Sequence, residues 1–260
     1  MMAIRAYFDE SEDKDATIHA IGGFIGIEQE WESLQDKWVG RVDPTGVTAY
    51  HMTDCECGYG EFSAEKGWNK EDRNQLTKDL IEIILRHKVF MLGAGLLLDD
   101  YKQIPPLDEK EDLLGGDKWL FPFQSVIQEA ATQALRIPGN EAVAFFFDWR
   151  EKKGNAQKMI EEFREDTRLG EWRRQLGTLT FGHKEFDVAD SLPLLQVADI
   201  AARETAKAIE NKISTNPHRR ESFERLKAGN RVYRIDFFDK EVMQIMFELK
   251  REELRAAKSE

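Results

Sequence analysis

Three aspartates lie at places in the sequence where a folded chain could bring their carboxylates together. Asp9 follows the alternating run A-I-R-A-Y-F, Asp148 follows the apolar run A-V-A-F-F-F, and Asp199 lies inside the apolar run L-Q-V-A-D-I-A-A. A carboxylate in apolar surroundings is destabilised unless a cation, a hydrogen-bond donor or a metal ion meets it. Each of the three aspartates therefore requires a partner.

Metal binding is the chemistry that such a cluster favours. Carboxylates held close together repel one another and bind protons or a divalent cation. Oxygen ligands favour Mg²⁺ or Mn²⁺ over zinc, and two such ions about 3.5 to 4 Å apart can activate water and hold both oxygens of an in-line phosphoryl displacement. Asp9, Asp148 and Asp199 are the predicted catalytic metal ligands. Asp54 and Asp190 are candidate further ligands that would serve equally well in a turn or a helix cap.

Residues near these acids allow both functional and structural interpretations. His51 could act in catalysis by orienting a water molecule or a phosphate, although a loop or core histidine is more often simply hydrogen-bonded. Arg203 lies four residues after Asp199 and could pair with it on a helix surface. Gln196, one turn before Asp199, could hydrogen-bond either the site or the sheet edge.

Other catalytic classes have weaker support in the sequence. His51, Cys55 and Cys57 suggest zinc, but no second Cys or His cluster follows to complete four ligands. The glycine pairs lack the spacing of a phosphate-binding loop, and no Gly-x-Ser-x-Gly motif supports a serine hydrolase. A glycosidase with two carboxylates stays open, because Trp68 and Trp149 lie near acids without defining a cleft.

The composition is that of a globular domain. The 260 residues are 41% hydrophobic and 33% charged, contain no apolar run long enough to span a membrane, and begin without the apolar core of a signal peptide. We expect one cytoplasmic domain, whose two cysteines are too close together and too few for a disulfide framework. The net charge of -12 argues against a broad, charge-driven nucleic-acid surface.

A local basic segment departs from this acidic average. Between positions 203 and 234 the chain has nine Lys or Arg residues against four Glu. Such a run is usually a solvated helical face, but it could also contact the phosphates of a nucleic acid. The predicted nucleic-acid contacts are Arg203, Lys207, Arg219 and Arg220.

The strands and helix that carry the three aspartates are predicted to form one unit. Residues 3–9 and the apolar run from residue 17 predict an antiparallel hairpin, whose Gly22 and Gly23 would admit another backbone close by. Strand 141–150 is apolar on both faces and should be internal, with Asp148 on the face of Ala144 and Phe146.

The helix that carries Asp199 should cover this sheet. We expect it to begin near residue 192, with Asp190 or Ser191 as its cap and Pro193 in its first turn. Small apolar residues then recur at helical spacing, which favours close packing on a flat surface. If the strands of Asp9 and Asp148 pair side by side, their acids project from one end of the sheet toward this helix.

Further segments complete a predicted mixed α/β sheet. Helices are predicted at 28–42, 71–87, 118–136 and 156–165, and further strands at 47–52, 88–98 and 178–185. A polar stretch with Pro105-Pro106 and Gly115-Gly116 is the best candidate for an insertion or a mobile lid. Residues 3–211 would form the core and 212–260 an α-rich extension, whose alternating run 231–238 has no predicted place.

Three motifs of the chain occur together in one known family. They are Y-F-D-E-S at 7–11, Y-H-M-T-D at 50–54, and D-S at 190–191 followed by L-Q-V-A-D-I-A at 195–201. They resemble the signatures of a prokaryotic and phage family catalogued as a domain of unknown function, number 3800. The resemblance covers roughly residues 7 to 202, and Glu12 departs from it, because the family usually has glycine there.

The resemblance implies a ribonuclease-H-like fold with acids on the first strand, the middle strand and the last core helix. By analogy it implies a metal-dependent nuclease, in which Mg²⁺ or Mn²⁺ on Asp9, Asp148 and Asp199 hydrolyses phosphodiester bonds of RNA or DNA. The alternative is a catalytically silent module of the same fold that binds a protein or nucleic acid, for example in defence against phage. Its acids would then serve as surface charges and caps.

Overall fold

The protein is built on one mixed β-sheet of six strands, with helices on both faces. The structure is a computed structural model that describes residues 2–12, 15, 17–104, 118–137, 139–148, 153–186 and 188–257. The strands are β1 Met2–Glu12, β2 Ile18–Ile27, β3 Val89–Leu97, β4 Asn140–Asp148, β5 Leu176–Gly182 and β6 Val232–Phe238. The helices are α1 Glu28–Val42, α2 Met52–Cys57, α3 Lys70–Leu85, α4 Leu98–Lys102, α5 Leu120–Ala134, α6 Lys153–Glu165, α7 Leu195–Ile213, α8 Glu221–Ala228 and α9 Lys240–Ala257.

The strand order across the sheet is β5-β4-β1-β2-β3-β6. Strand β2 pairs antiparallel with β1 and with β3, whereas β4 pairs parallel with β1 and β5, and β6 pairs parallel with β3. The predicted hairpin and the internal position of the phenylalanine-rich strand are therefore confirmed, as is a mixed α/β sheet with flanking helices.

Alternation of side chains along β1 separates two cores. Phe8 stacks on Phe147 of β4 in the core beneath α5, α6 and α9, whereas Tyr7 stacks on Phe146 in the core beneath α1, α3 and α7. Successive side chains of a strand point to opposite faces. Asp9 and Asp148 each follow a residue of the second core by two positions, so both carboxylates lie on the α7 face, as predicted for Asp148.

Helix α7 lies directly on the strands that it covers. A Cβ atom at Gly22 would be 2.4 Å from the carbonyl oxygen of Ala201, whereas a Cβ atom at Gly23 would meet the Tyr7 carbonyl of the neighbouring strand. Both contacts are far too close for a side chain, so glycine is needed at these two positions, where two backbones come together. The close approach predicted for this glycine pair is confirmed.

The helix of Asp199 begins later than predicted. α7 starts at Leu195 instead of near 192, because the residues before it form hydrogen-bonded turns. The Ser191 hydroxyl donates to the Glu185 carbonyl at 2.5 Å instead of capping the helix. Asp190 adopts a left-handed φ of 57°, which places it in the preceding turn.

Two strand predictions are wrong. Residues 47–51 form no regular structure, and Met52 starts the short helix α2, so segment 47–52 is not a strand. Strand β1 continues to Glu12 instead of ending at Asp9, because β2 pairs with it along its whole length. The pairing of β1 with β4 ends just before Asp9, since the last β1–β4 pair is Phe8 with Phe147.

The C-terminal extension takes part in the sheet. It is rich in helix, as predicted, but its alternating run forms β6, which lies at the sheet edge next to β3. The predicted lid at 105–117 and Trp149 lie outside the described residues. None of the helices in the described ranges is both long and apolar enough to cross a lipid bilayer.

Candidate active site

The three predicted aspartates converge, and they converge on an ammonium group. The Nζ atom of Lys184 lies 2.5 Å from Asp9 Oδ2, 3.1 Å from Asp148 Oδ2 and 3.2 Å from Asp199 Oδ1. All three oxygens surround one nitrogen, so no two of them are more than about 6.5 Å apart. We call Lys184 and these three residues the acid cluster.

Four different parts of the fold supply the acid cluster. Asp9 comes from β1, and its Oδ1 accepts a 2.8 Å hydrogen bond from the Glu10 amide. Asp148 is the last residue of β4, which runs parallel to β1, and Asp199 comes from the second turn of α7 above the strands. Lys184 follows β5, on the other side of β4. The cluster thus depends on the sheet order and on the contact between α7 and the sheet.

Asp199 is fixed by the start of α2. Its Oδ2 accepts a 2.7 Å hydrogen bond from the Met52 amide, and its Oδ1 lies 3.7 Å from Nδ1 of His51. Arg203, which the helical spacing offered as a partner, donates instead to Glu56 at 3.3 Å. The expected pair along the helix surface does not form, because Asp199 faces the cluster.

Gln196 joins three segments behind the acid cluster. Its side chain is fully buried, and its Oε1 accepts from the Trp38 indole and from the Tyr50 amide, both at 3.0 Å. Its Nε2 donates to the Lys184 carbonyl at 2.7 Å. One amide therefore holds α1, the segment that leads into α2, and the backbone of the lysine, so Gln196 is a positioning residue.

The pKa values of Asp9 and Asp199 are shifted in opposite directions. Burial, together with the charges of Asp199 and Asp148, raises the pKa of Asp9 to about 8 despite the nearby ammonium. Burial also acts to raise the pKa of Asp199, but Lys184, His51 and the Met52 amide outweigh it and hold this pKa well below its usual range. The lysine alone does not compensate all three acids.

Neighbouring carboxylates favour the charged forms of the two basic groups at the site. Burial acts to lower the pKa of Lys184, but the three carboxylates raise it well above the usual range. The interaction with Asp199 raises the pKa of His51, against the effects of burial and of Lys184. His51, which is about a third exposed, is therefore suited to donate a hydrogen bond and less suited to accept a proton.

Asp54 and Asp190 lie outside the acid cluster. Within the described ranges, the carboxylates that lie within 4 Å of the lysine ammonium are those of Asp9, Asp148 and Asp199. Asp54 belongs to α2, and its carbonyl accepts from Gly58 where that helix ends. The Asp190 carbonyl accepts from the His183 amide, as expected for a turn residue.

The predicted basic contacts all take part in ion pairs. Arg203 and Arg220 both bind Glu56, and Arg220 also binds the buried Glu204. Lys207 pairs with Glu210 on its own helix. Arg219 is 89% exposed and lies 3.5 Å from Glu224, so of the four it is the least constrained.

The donor set of the acid cluster is suited to a hard divalent cation. Three carboxylates from separate elements already surround one positive charge, and oxygen ligands of this kind favour Mg²⁺ or Mn²⁺. The contacts to the ammonium nitrogen are longer than the 2.0 to 2.1 Å of a Mg–O bond. Across the described ranges, no group of three or more His, Cys, Asp or Glu is arranged as a ready metal site. Cys55 and Cys57 are free, one buried and one exposed.

Lys184 is the site residue that the sequence did not indicate. It lies in the polar run G-H-K-E-F-D, where a lysine is ordinarily a surface residue. Only the sheet order places it beside β4 and therefore between the acids. No model of a known protein family matches this chain, and neither a curated protein nor a solved structure matches it.

Proposed function

We propose that this protein hydrolyses phosphodiester bonds of nucleic acid with Mg²⁺ or Mn²⁺ bound by Asp9, Asp148 and Asp199. The observation that carries the proposal is the convergence of these carboxylates on one cation, Lys184. The chain order of the acids on β1, β4 and α7 also supports a ribonuclease-H-like fold, as the resemblance in the sequence implies.

Charge balance supports a divalent ion at this position. Three ionised carboxylates and one ammonium leave two negative charges, which is what one divalent cation would neutralise. Without that cation, burial and the excess negative charge keep the pKa of Asp9 raised. A bound Mg²⁺ or Mn²⁺ would polarise the phosphoryl group and lower the pKa of a bound water.

The surrounding residues would then act on the substrate. We infer that the Lys184 ammonium would move from the centre of the carboxylates to their edge when a metal binds, because the two cations would occupy the same space. Its charge is then available to a phosphate oxygen. His51, whose protonated form is favoured by Asp199, can donate to the same phosphate or to a leaving oxygen.

Cleavage of labelled RNA and DNA, single- and double-stranded, tests this function directly. We expect cleavage with Mg²⁺ or Mn²⁺, none in EDTA, and loss of cleavage in Asp9→Asn and Asp199→Asn with the fold kept by circular dichroism. Asp99→Asn is the matched control, because Asp99 is 77% exposed on α4. Absence of any divalent-dependent cleavage on all four substrates would refute the proposal.

A silent binding module is the second candidate, and Lys184 favours it. An ammonium already balances part of the acid charge, so the cluster could be a buried ion-pair network that never takes up metal. Thermal unfolding with and without Mn²⁺ separates the candidates. The nuclease predicts a higher melting temperature with Mn²⁺ that is lost in Asp9→Asn, whereas the silent module predicts no shift in either protein.

A further inference from the structure

A second concave site lies beside α2, outside the acid cluster. It is a cavity of about 310 Å³ between α2, the first half of α3 and the segment that leads into α8. Cavities of this size are large enough for a small ligand or for one unit of a polymer. We call it the basic pocket, after the five basic residues that line it: Arg73, Lys78, Arg219, Arg220 and Arg225.

The charge of the basic pocket opposes that of the whole chain. Against these five cations its lining has only two acids, Glu56 and Glu221, in a protein of net charge -12. A local positive cavity attracts anions even in a protein whose net charge is negative. The pocket is therefore suited to an anionic group.

Arg73 is the clearest sign of a missing anion. Its Nε is buried without a hydrogen-bond partner, and no acid in the described ranges forms an ion pair with its guanidinium. Gly58 provides the room for this side chain, because a Cβ there would lie 2.9 Å from the guanidinium carbon. A buried polar group without a partner is destabilising, and together with the lack of an ion pair it marks Arg73 as a cation of the pocket that no neighbouring acid balances.

Two further cations of the pocket are only loosely engaged, whereas Arg225 forms an ion pair with Glu82. Lys78 lies 3.5 Å from Glu221, and both side chains are more than 40% exposed. Arg219 is likewise exposed and 3.5 Å from its partner. Exposed ion pairs of this kind contribute little to stability, so a ligand phosphate can replace them readily. Arg220 differs, because the buried Glu204 fixes it as part of the wall.

The basic pocket shares a residue with the acid cluster. Met52 lines the pocket, and its amide is the group that donates to Asp199. Arg203, one helical turn after Asp199, shares Glu56 with the pocket residue Arg220. The basic pocket and the acid cluster therefore adjoin each other at α2.

We propose that the basic pocket binds phosphate groups of a nucleic-acid strand, with Arg73 as the principal contact. The identity of this ligand rests on the proposed function, whereas the anionic character of the site follows from the pocket itself. Arginine suits phosphate because its planar fork donates two parallel hydrogen bonds. The pocket thus holds part of the substrate beside the cleaved bond.

Binding of a fluorescent single strand of about 12 nucleotides to the full chain, followed by anisotropy in EDTA, tests the proposal. We expect Arg73→Gln to weaken binding about tenfold, as for loss of one charge-assisted hydrogen-bonded contact. The slope of log affinity against log salt should fall by about 0.7. Arg86→Gln is the matched control, because Arg86 is exposed at the other end of α3, and we expect it to bind as the wild type does.

The same proteins distinguish a failure of the pocket proposal from a failure of the proposed nuclease function. Metal-dependent hydrolysis of bis(p-nitrophenyl) phosphate by the wild type reports on the acid cluster alone, because this substrate is too small to fill both sites. If the wild type does not hydrolyse bis(p-nitrophenyl) phosphate but Arg73→Gln still weakens strand binding, the result supports phosphate binding in the basic pocket and refutes the proposed nuclease. If Arg73→Gln binds the strand with wild-type affinity and salt dependence, the pocket assignment is wrong, whatever the enzyme does. Arg73-dependent binding of a nucleoside monophosphate without strand binding would equally overturn it.

Discussion

Replacement of Lys184 by methionine tests the acid cluster most directly. The ammonium is 8% exposed and contacts three carboxylates within 3.2 Å, so its removal leaves buried acids without their cation. Removal of one partner from a buried ion pair costs about 3 to 5 kcal/mol. We expect Lys184→Met to lose stability in this range at neutral to alkaline pH in EDTA, measured by urea unfolding.

The pH dependence of this loss has a definite sign. Without the lysine, the folded-state pKa values of the acids rise above their unfolded values, so the acids bind protons in the folded protein. The cost is then absent where the acids are protonated and grows as pH rises through the folded pKa values. The difference between wild type and Lys184→Met should therefore be smaller near about pH 5 than near about pH 8.

Manganese should reverse the effect of Lys184→Met. With the ammonium gone, the proposed metal takes its place and stabilises the variant by about 2.7 kcal/mol at a hundredfold excess over Kd. Lys158→Met is the control, because Lys158 is 70% exposed on α6, and it should change stability by less than about 0.5 kcal/mol. If Lys184→Met unfolds at the wild-type urea concentration at alkaline pH, the acids do not share this cation and the reasoning is wrong.

Three further predictions concern the frame of the site. Gln196→Leu should cost about 3 kcal/mol in urea unfolding, because two buried donors lose their acceptor, and wild-type stability would show that the amide holds nothing. Gly22→Ala should lower the free energy of unfolding by about 2 to 3 kcal/mol and reduce the stabilisation by Mn²⁺, because its Cβ would clash with α7. Gly154→Ala is the control, because a Cβ there meets open space, and it should not destabilise the protein. Equal effects of the two substitutions would contradict the close contact between α7 and the sheet. The hydrogen bond from His19 lowers the pKa of Glu12 from 4.5 to about 2, so Glu12→Gln should lower stability at pH 7. The difference in stability between wild type and Glu12→Gln should disappear as pH falls from about 4.5 to 2. A difference that persists at low pH would refute the pairing of Glu12 with His19.

The sequence was sufficient to predict the acids because their surroundings are encoded locally. Asp9 and Asp148 each end a strand-forming run and Asp199 interrupts an apolar one, and an acid in such a place must find a partner when the run is buried. Adjacent parallel strands then bring the first two together, and the small residues of α7 allow the third to come close. The fold class and most helices followed from the same periodicity.

Lys184 and the start of α2 were beyond prediction because they depend on distant contacts. Lys184 lies in a polar run, and only the placement of β5 beside β4 brings it to the acids. Segment 47–52 alternates like a strand, but the Tyr50 amide bonds to Gln196 and the Met52 amide to Asp199, 146 and 147 residues away in the chain. These side chains replace the ladder partners that a strand would need. Arg203 was misassigned because helical spacing does not indicate which neighbour from another helix competes for it.

The position of β6 has a consequence for the newly made chain. Strand β3 is almost entirely apolar and buried, and in the described part of the chain its outer edge is hydrogen-bonded by residues 231–238. During translation this edge has no partner until those late residues leave the ribosome, and open apolar edges are where chains pair with one another. A polypeptide that stops before residue 232 should consequently collect in inclusion bodies, even though every residue of the acid cluster has already been synthesised.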